Sequence, residues 1–232
     1  MEREYDGYFI TFEGPDGSGK TTQAKMLTEY LEGMGYDVMF TFEPGGKGIG
    51  GQIRSVLHDP RNTMIYPKAE ALGYLMSRAQ LVGEKIRPQL ALGGVVVSDR
   101  YNDSTLAYQG YGHGLNLDML KVVCDFATGG LMPDLTILFD LSVEEGLERR
   151  ITGGGEWNRL DAKDLEFHAR ARNGYLEMAR QEPDRWVVID ANAGIGELHA
   201  EVRSLVMGVL GLGIDVDRMR WEGEGGIIPG NG

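Results

Sequence analysis

Three features are scarce in this sequence: cysteine, positive charge and long hydrophobic runs. The single cysteine, Cys124, excludes a disulfide within the chain and is typical of a reducing compartment such as the cytoplasm, where we expect it to be a small buried hydrophobe. No apolar run approaches the ~20 residues that cross a bilayer, and residues 1–6 carry too much charge for a signal peptide. We therefore expect a cytoplasmic protein without a membrane partner.

Basic residues are too few for a surface that binds nucleic acid. The chain has 23 Lys and Arg against 35 Asp and Glu, a formal net charge of −12 at pH 7. Because phosphate backbones are bound by basic faces, we expect no nucleic-acid partner. A few basic side chains gathered at one site can still hold a small phosphate compound. With 232 residues, 42% of them hydrophobic, the chain can bury the core of one domain.

The strongest motif lies between an apolar run at residues 8–12 and a helical pattern that begins near Thr21. It matches the phosphate-binding loop G-x-x-x-x-G-K-[ST] at every fixed position. Glycines allow backbone N–H groups to face an anion, and the following helix points its positive end at the same place. In this motif Lys20 would bind the β- and γ-phosphates and the Thr21 hydroxyl would bind Mg²⁺. The residues predicted to surround the nucleotide phosphates are Gly14, Pro15, Asp16, Gly17, Ser18, Gly19, Lys20, Thr21 and Thr22.

Strand-like runs alternate with helical patterns along the rest of the chain, which predicts an α/β fold with a parallel sheet covered by helices on both faces. A polar, glycine-bearing loop is expected after residue 101. Five strands are predicted at 8–12, 37–41, 95–98, 135–140 and 186–190. Helices are predicted to follow the motif, to span about 49–58, 68–92, 118–128, 143–150 and 164–181, and to end the domain near residue 209.

Two glycine-rich segments set the expected boundaries of a lid and of the folded domain. Glycines at 153–155, between helical patterns, indicate a short mobile lid at about 150–163, although a plain flexible connector explains that composition almost as well. From residue 211 the chain is rich in glycine and poor in core residues. We therefore expect one domain over 1–210 and a loosely held tail over 211–232.

The phosphate loop occurs in switches, motors and kinases, so the other motifs must decide between these classes. The Asn-Lys-x-Asp signature that reads guanine is absent, and a DNA motor would present a basic face. Five further segments, in this order, make the chain resemble the thymidylate kinases from about residue 12 to 189. They are Glu43-Pro44-Gly45-Gly46, Ser77-Arg78-Ala79-Gln80-Leu81, Asp99-Arg100-Tyr101, residues 104–110 and Pro133-Asp134-Leu135-Thr136.

The resemblance implies a P-loop kinase fold, a homodimer and transfer of the γ-phosphoryl group of ATP to dTMP with Mg²⁺ as cofactor. Tyr74 would stack on thymine and Arg78 would bond the base, since (i, i+4) spacing places both on one helix face. Asp16 would reach the sugar 3′-hydroxyl. Residue chemistry leaves alternatives open, because Tyr74 also suits a core position and Ser104 suits a helix N-cap. The acceptor residues implied are Asp16, Glu43, Arg54, Tyr74, Arg78, Arg100, Ser104, Thr105, Tyr108 and Gln109.

An acceptor phosphate oxygen is already anionic, so the implied reaction needs positioning and charge neutralisation and no general base. Lys20, Arg100 and a lid arginine would supply positive charge, with Arg150 and Arg159 as the favoured lid residues. Asp99 would orient Mg²⁺ through water. The alternatives are a structural turn with a local ion pair at 99–101 and solvated arginines at the helix ends flanking the lid.

The chain departs from the family pattern at two places. Phe42 stands where many bacterial relatives have an arginine that helps to hold the acceptor phosphate, so we expect affinity to rest more on Arg54 and Arg100, with solvation the expected state of Lys47. The lid centre carries glycines where an arginine is expected. Two other functions therefore stay open: a kinase for dUMP or another deoxypyrimidine monophosphate, and a nucleotide-binding regulator without turnover.

Overall fold

A five-stranded parallel sheet with the strand order β2-β3-β1-β4-β5 forms the centre of the molecule. The structure is a computed structural model that describes residues 5–45, 48–153 and 158–212. In a parallel sheet the carboxyl ends of all strands lie at one edge, and the register pairs Phe12 with Asp99 at that edge. The strands are β1 (Tyr8–Glu13), β2 (Val38–Phe42), β3 (Val95–Asp99), β4 (Leu135–Asp140) and β5 (Trp186–Asp190).

Helices cover both faces of the sheet, as the alternating sequence pattern predicts. The long helical pattern after Pro67 continues from α3 through a π-helical segment, Val82–Ile86, into α4. The helices are α1 (Lys20–Gly33), α2 (Ile49–His58), α3 (Pro67–Leu81), α4 (Arg87–Ala91), α5 (Asn102–Thr105), α6 (Leu117–Thr128), α7 (Val143–Thr152), α8 (Leu165–Gln181) and α9 (Ile195–Val209).

The prediction of a loop after residue 101 is wrong. The chain there forms α5 and a second π-helical segment, Leu106–Gly112. Its glycines mark close approach between elements and do not mark a turn, because a Cβ on Gly110 would lie 2.5 Å from Leu117 and one on Gly112 would lie 2.7 Å from Phe167. Glycine in a helical interior therefore indicates tight packing at this place.

The hydrophobic core lies on both sides of the sheet, because successive strand residues point to opposite faces. On one face Ile10 and Phe12 pack with apolar residues of α1 and α9. On the other face Phe9 packs with Leu81 of α3 and Val82 in the following π-helical segment. Leu138 of β4 packs with α8 on the same face. The core thus fixes the strand ends from which the site residues project.

Parts of the sequence predictions fall outside the described residues: Lys47, two of the three lid-centre glycines (154 and 155) and the tail after residue 212. The flanks of the predicted lid are described, namely the end of α7 and residues 158–163. Of the described helices, none combines the length and the apolar character that crossing a bilayer requires.

Candidate active site

The phosphate-binding loop connects β1 to α1 and lies against the end of β4 and the start of α7. Gly14, Gly17 and Gly19 have φ values of 137°, 81° and 89°, which side chains rarely adopt. A Cβ on Gly17 would also lie 2.2 Å from the carbonyl oxygen of Gly146. Both observations explain why the motif needs glycine at these positions.

Lys20 is buried at the first position of α1, with its ammonium turned back over the loop. Nζ donates to the Pro15 carbonyl at 2.6 Å and to Ser18 Oγ at 3.3 Å. Burial, and after it the nearby Arg100 guanidinium, lower the pKa of Lys20 to about 8. The ammonium is therefore held where the motif predicts bound phosphates, with a pKa close to neutral.

Thr21 and Asp99 meet beside the loop, because β3 is the immediate neighbour of β1. The Thr21 hydroxyl donates to Asp99 Oδ2. Asp99 Oδ1 is buried and accepts no hydrogen bond from any residue that the structure describes. A hydroxyl and an unbonded carboxylate oxygen at this place fit a hydrated Mg²⁺ ion, which keeps several waters and takes few protein ligands.

Arg100 follows β3 and crosses to the phosphate loop. Its Nη2 donates to Asp16 Oδ1 at 2.8 Å and its Nη1 to the Gly14 carbonyl at 3.1 Å. The guanidinium also lies over the Tyr108 ring, 5.1 Å from the centroid. Burial acts to raise the pKa of Asp16, but the Arg100 and Lys20 cations outweigh it and hold that pKa well below its ordinary range. Asp16 is thus a carboxylate at the border between the loop and the next cavity.

A cavity on the other side of Asp16 brings nine of the ten predicted acceptor residues together. Its wall also includes His58, Asn158 and Leu160. The tenth acceptor residue, Arg54, lies in the adjoining cavity described below. The nine are Asp16, Glu43, Tyr74, Arg78, Arg100, Ser104, Thr105, Tyr108 and Gln109.

Arg78 forms a rigid part of this wall. Its side chain is 1% exposed and Nε donates to Glu43 Oε2 at 2.6 Å. Three further bonds run from Nη1 to Thr105 and Asn102 and from Nη2 to the Tyr101 carbonyl. A guanidinium has five N–H donors, so one N–H on Nη2 is left without a partner among the described residues.

Two of the alternatives left open by the sequence concern Tyr74 and Ser104. Tyr74 is 8% exposed, packs with core residues and also lines the cavity, so its core position is observed and its stacking on thymine stays a prediction. Ser104 is no N-cap, because α5 begins at Asn102 and the Ser104 hydroxyl instead donates to Glu13 Oε2 at 2.6 Å. Arg100 Nη1 in turn donates to Ser104 Oγ at 3.0 Å.

A second cavity adjoins the first and extends along the phosphate loop. Arg54 of α2 lies in its wall, donates from Nη1 to the Pro44 carbonyl at 2.6 Å and stacks on Phe42 at 5.5 Å from the ring centroid. The phenyl ring that replaces an arginine in the sequence pattern therefore supports a different arginine. His58 faces both cavities, and burial together with Arg54 lowers the pKa of His58 to about 4.

The two favoured lid arginines lie in different places. Arg150, at the end of α7, lines the phosphate-loop cavity and pairs with Asp161 at 2.7 Å. Arg159 does not line the phosphate-loop cavity, and the catalytic role predicted for it stays a prediction. Its buried guanidinium binds the Glu70 carboxylate and the Leu57 carbonyl, so it ties the lid flank to α2 and α3.

Sequence reasoning missed three residues of this region: Glu13, His58 and Tyr175. Glu13 stands at the end of a predicted strand directly before the loop, which is a positional signal for function. His58 lies at the end of a predicted helix, four residues after Arg54, and that spacing places both on one face. Tyr175 lies in the middle of α8, and no local pattern distinguishes it from a core residue.

Comparisons with known proteins identify the family. The family model described as thymidylate kinase matches residues 12–202. The thymidylate kinase of Roseiflexus sp. (strain RS-1) is 48% identical over 209 residues, covering 85% of this chain and 92% of that protein. The thymidylate kinase of Carboxydothermus hydrogenoformans is 48% identical over 205 residues, covering 88% and 99%.

A solved structure agrees as well. The thymidylate kinase from Ehrlichia chaffeensis superposes with a TM-score of 0.71 at 33% sequence identity, covering 87% of this chain and 98% of that one. Sequence family, curated relatives and backbone arrangement all lead to the same conclusion: the chain belongs to the thymidylate kinase family.

Proposed function

We propose that this protein transfers the γ-phosphoryl group of ATP to dTMP and releases ADP and dTDP. A phosphate oxygen of dTMP forms the new P–O bond, and the bond between the γ-phosphorus and the β,γ-bridging oxygen breaks. The observation that carries the proposal is the contact between Asp16 and Arg100, which places the donor loop and the acceptor cavity against each other.

The donor side rests on the phosphate loop. Its backbone and Lys20 would hold the β- and γ-phosphates, as the motif requires. The Thr21 hydroxyl and, through water, Asp99 would hold Mg²⁺, since Asp99 Oδ1 has no hydrogen bond among the described residues. When bound, Mg²⁺ neutralises charge on the β- and γ-phosphate oxygens.

The acceptor side rests on the cavity beyond Asp16. Tyr74 would stack on the base, while Arg78, through its remaining N–H, and Gln109 would bond its edge. Tyr108 donates to Asp16 Oδ2 at 3.0 Å, so its ring lies where the sugar of the acceptor would pack and where a 2′-hydroxyl would be crowded. The remaining acceptor residues would line the same pocket around the base and the phosphate, namely Glu43, Arg54, Arg100, Ser104 and Thr105.

Positive charge around the transferred group would come from Lys20, Arg100 and Arg150. Of the two lid arginines, Arg150 is favoured, because it lines the phosphate-loop cavity whereas Arg159 is engaged by Glu70. Adenine would lie beside Arg149, which donates to the Ala191 carbonyl at 3.0 Å on the loop after β5.

A homodimer is part of the proposal, and it is supported by apolar side chains on α3 and α6. Leu72 and Met76 follow each other by one turn on α3, and both are more than half exposed. Phe126 of α6 is 90% exposed. Such a patch is typical of an interface between proteins. Cys124 is a buried free thiol, which supports the predicted cytoplasmic location.

A panel of acceptors tests the proposed activity. ADP release from Mg-ATP is measured with dTMP, dUMP, dCMP and ribothymidine monophosphate, and Lys20→Ala serves as the inactive control. The proposal expects dTMP to give the highest kcat/KM. The relatives' names favour dTMP over the other deoxypyrimidine substrates. Faster turnover of dUMP or dCMP would change the acceptor, and an absence of turnover with all four would favour the regulator.

A further inference from the structure

A buried carboxylate lies beside the active-site arginine without touching it. Glu13, the last residue of β1, is 0% exposed. Its Oε1 accepts a hydrogen bond from the Tyr101 amide at 2.7 Å. Its Oε2 accepts from Ser104 Oγ at 2.6 Å and from the Tyr175 hydroxyl at 3.0 Å. The carboxylate thus joins β1, the chain that follows β3, α5 and α8.

The same two hydroxyls bind Arg100. Nη1 of Arg100 lies 3.0 Å from Ser104 Oγ and 3.1 Å from the Tyr175 hydroxyl, and its two hydrogens are shared among these oxygens and the Gly14 carbonyl. The two hydroxyl oxygens also lie 2.8 Å apart, where either could donate to the other. An ionised carboxylate can only accept hydrogen bonds, so it favours the arrangement in which both hydroxyl hydrogens point to Glu13 and the oxygen lone pairs face Arg100. Glu13 therefore fixes the direction in which both hydroxyls donate their hydrogen bonds.

The backbone of Arg100 is also held from β1. Arg100 has a φ of 77°, a left-handed conformation that is strained for a residue with a side chain. Its amide donates to the Phe12 carbonyl at 2.9 Å, and the next amide, that of Tyr101, donates to Glu13. Two successive hydrogen bonds thus hold the strained residue in place.

We infer that Glu13 is a positioning residue for phosphoryl transfer, which holds the Arg100 backbone directly and aims its guanidinium through Ser104 and Tyr175. The inference rests on the proposed function. A purely structural explanation fits poorly, because a buried carboxylate costs stability and none of the cations that the structure describes contacts Glu13 directly. The nearby Asp103 adds a like charge and is itself paired with Arg185 at 2.7 Å.

The network also predicts a pH response. Burial, and after it the charge of Asp103, raise the pKa of Glu13 to about 7, although Arg100 opposes them. The other titratable groups close to Glu13 are Lys20 of the phosphate loop and Tyr175 of α8, whose pKa is raised well above its ordinary value by burial. A protonated Glu13 donates a hydrogen bond to one of the two hydroxyls, which must then rotate. The hydrogen of the rotated hydroxyl points toward the Arg100 N–H and repels it. We expect kcat to fall as the pH drops through about 7.

Two variants test the inference, Tyr175→Phe and Glu13→Gln. The first removes one hydroxyl with no change of ring. The second keeps an oxygen for the Tyr101 amide but presents an amide donor to the hydroxyls and does not titrate. The matched control is Tyr111→Phe, because the Tyr111 ring packs against Gly174, the sequence neighbour of Tyr175.

The readouts are kcat and KM for dTMP and ATP between pH 5.5 and 9, with thermal unfolding as a measure of folding. We expect Tyr175→Phe to lower kcat about tenfold, with KM for ATP within about twofold. We expect Glu13→Gln to lower kcat further and to lose the fall near pH 7, which Tyr111→Phe retains. If Glu13→Gln does not fold, the kcat of Tyr175→Phe decides.

Two different results would contradict this inference. If the wild-type protein phosphorylates dTMP and the folded variants keep its kcat and its pH profile, the positioning role is wrong while the proposed function stands. If the wild-type protein turns over none of the acceptors, the proposed function fails and this inference fails with it.

Discussion

Nη2 of Arg100 lies 2.8 Å from Oδ1 of Asp16, so the residue after β3 is joined to the middle of the phosphate loop. The contact follows from the sheet. β1 and β3 are neighbours in parallel register with Phe12 opposite Asp99, and the residues beyond these two must therefore meet at the carboxyl edge. Because Asp16 lines both cavities, the loop forms a floor common to the two, which we propose are the acceptor site and the donor site.

Acceptor affinity should depend on Arg54 and on the ring that supports it. Replacing Arg54 by Ala should raise KM for dTMP about tenfold with kcat nearly unchanged, because a guanidinium beside the acceptor phosphate contributes to binding in ground state and transition state alike. Phe42→Leu should raise KM by about threefold, since an exposed cation–π contact contributes about 0.5–1 kcal/mol. Steady-state kinetics checks both values.

The control for this pair is Arg61→Ala, which removes an arginine whose side chain is 88% exposed and paired with Asp59. Its KM should equal that of the wild type. An unchanged KM for dTMP in Arg54→Ala would show that the acceptor phosphate is held elsewhere.

Arg150 and Arg159 should differ in their effect on kcat. Alanine at Arg150 should lower kcat about 10³-fold, as loss of an arginine that stabilises the transferred group typically does, and should also lower stability because the buried Asp161 carboxylate loses its arginine. Alanine at Arg159 should lower the free energy of unfolding by about 3 kcal/mol, because it leaves the buried Glu70 carboxylate without its arginine. Single-turnover rates and chemical denaturation separate the two effects. A loss of less than tenfold in kcat for Arg150→Ala would refute its catalytic role.

The apolar surface of α3 and α6 should hold two copies of the chain together. Phe126→Asp places a charge in the proposed interface and should convert a dimer into a monomer in sedimentation velocity at micromolar concentration. The matched control is Leu92→Asp, because Leu92 is 81% exposed and lies after α4, outside this surface. A wild-type monomer, or a Phe126→Asp variant that remains dimeric, would contradict this interface.

ATP capture should weaken in alkaline solution. Burial lowers the pKa of Lys20 to about 8, so its ammonium loses the proton as the pH rises through that value and the neutral amine attracts phosphate less. We expect kcat/KM for ATP to decline above pH 8. In Lys20→Arg the cation does not titrate, so the overall rate should be lower but the decline should disappear. If kcat/KM for ATP declined with the same midpoint in Lys20→Arg, a group other than Lys20 would be responsible for the decline.

Much of this account could be predicted from the sequence, because the relevant signals are local. The five strands, the phosphate loop and the family are confirmed, since a strand that runs through a glycine-rich loop into a helix leaves few alternatives. The order of motifs also predicted which residues meet around the acceptor cavity. The roles given to those residues stay predictions.

The rest depends on long-range packing. Nothing near Arg159 in the sequence shows that its guanidinium binds Glu70, 89 residues away. Glycines at 110 and 112 suggested a loop because tight packing against Leu117 and Phe167 cannot be read from neighbours along the chain. Tyr175 reaches Arg100 across 75 residues. These contacts are set by how helices pack on the sheet, for which periodicity gives only the buried face.

The coupling between Asp16 and Arg100 tests the central claim most directly. We would measure kcat/KM for dTMP in the wild type, Asp16→Asn, Arg100→Lys and the double variant, with thermal unfolding to confirm folding. Residues that act through one contact give non-additive effects, so we predict a coupling energy of at least about 1 kcal/mol. Additive losses within about 0.3 kcal/mol would contradict the claim that this pair joins the donor loop to the acceptor site.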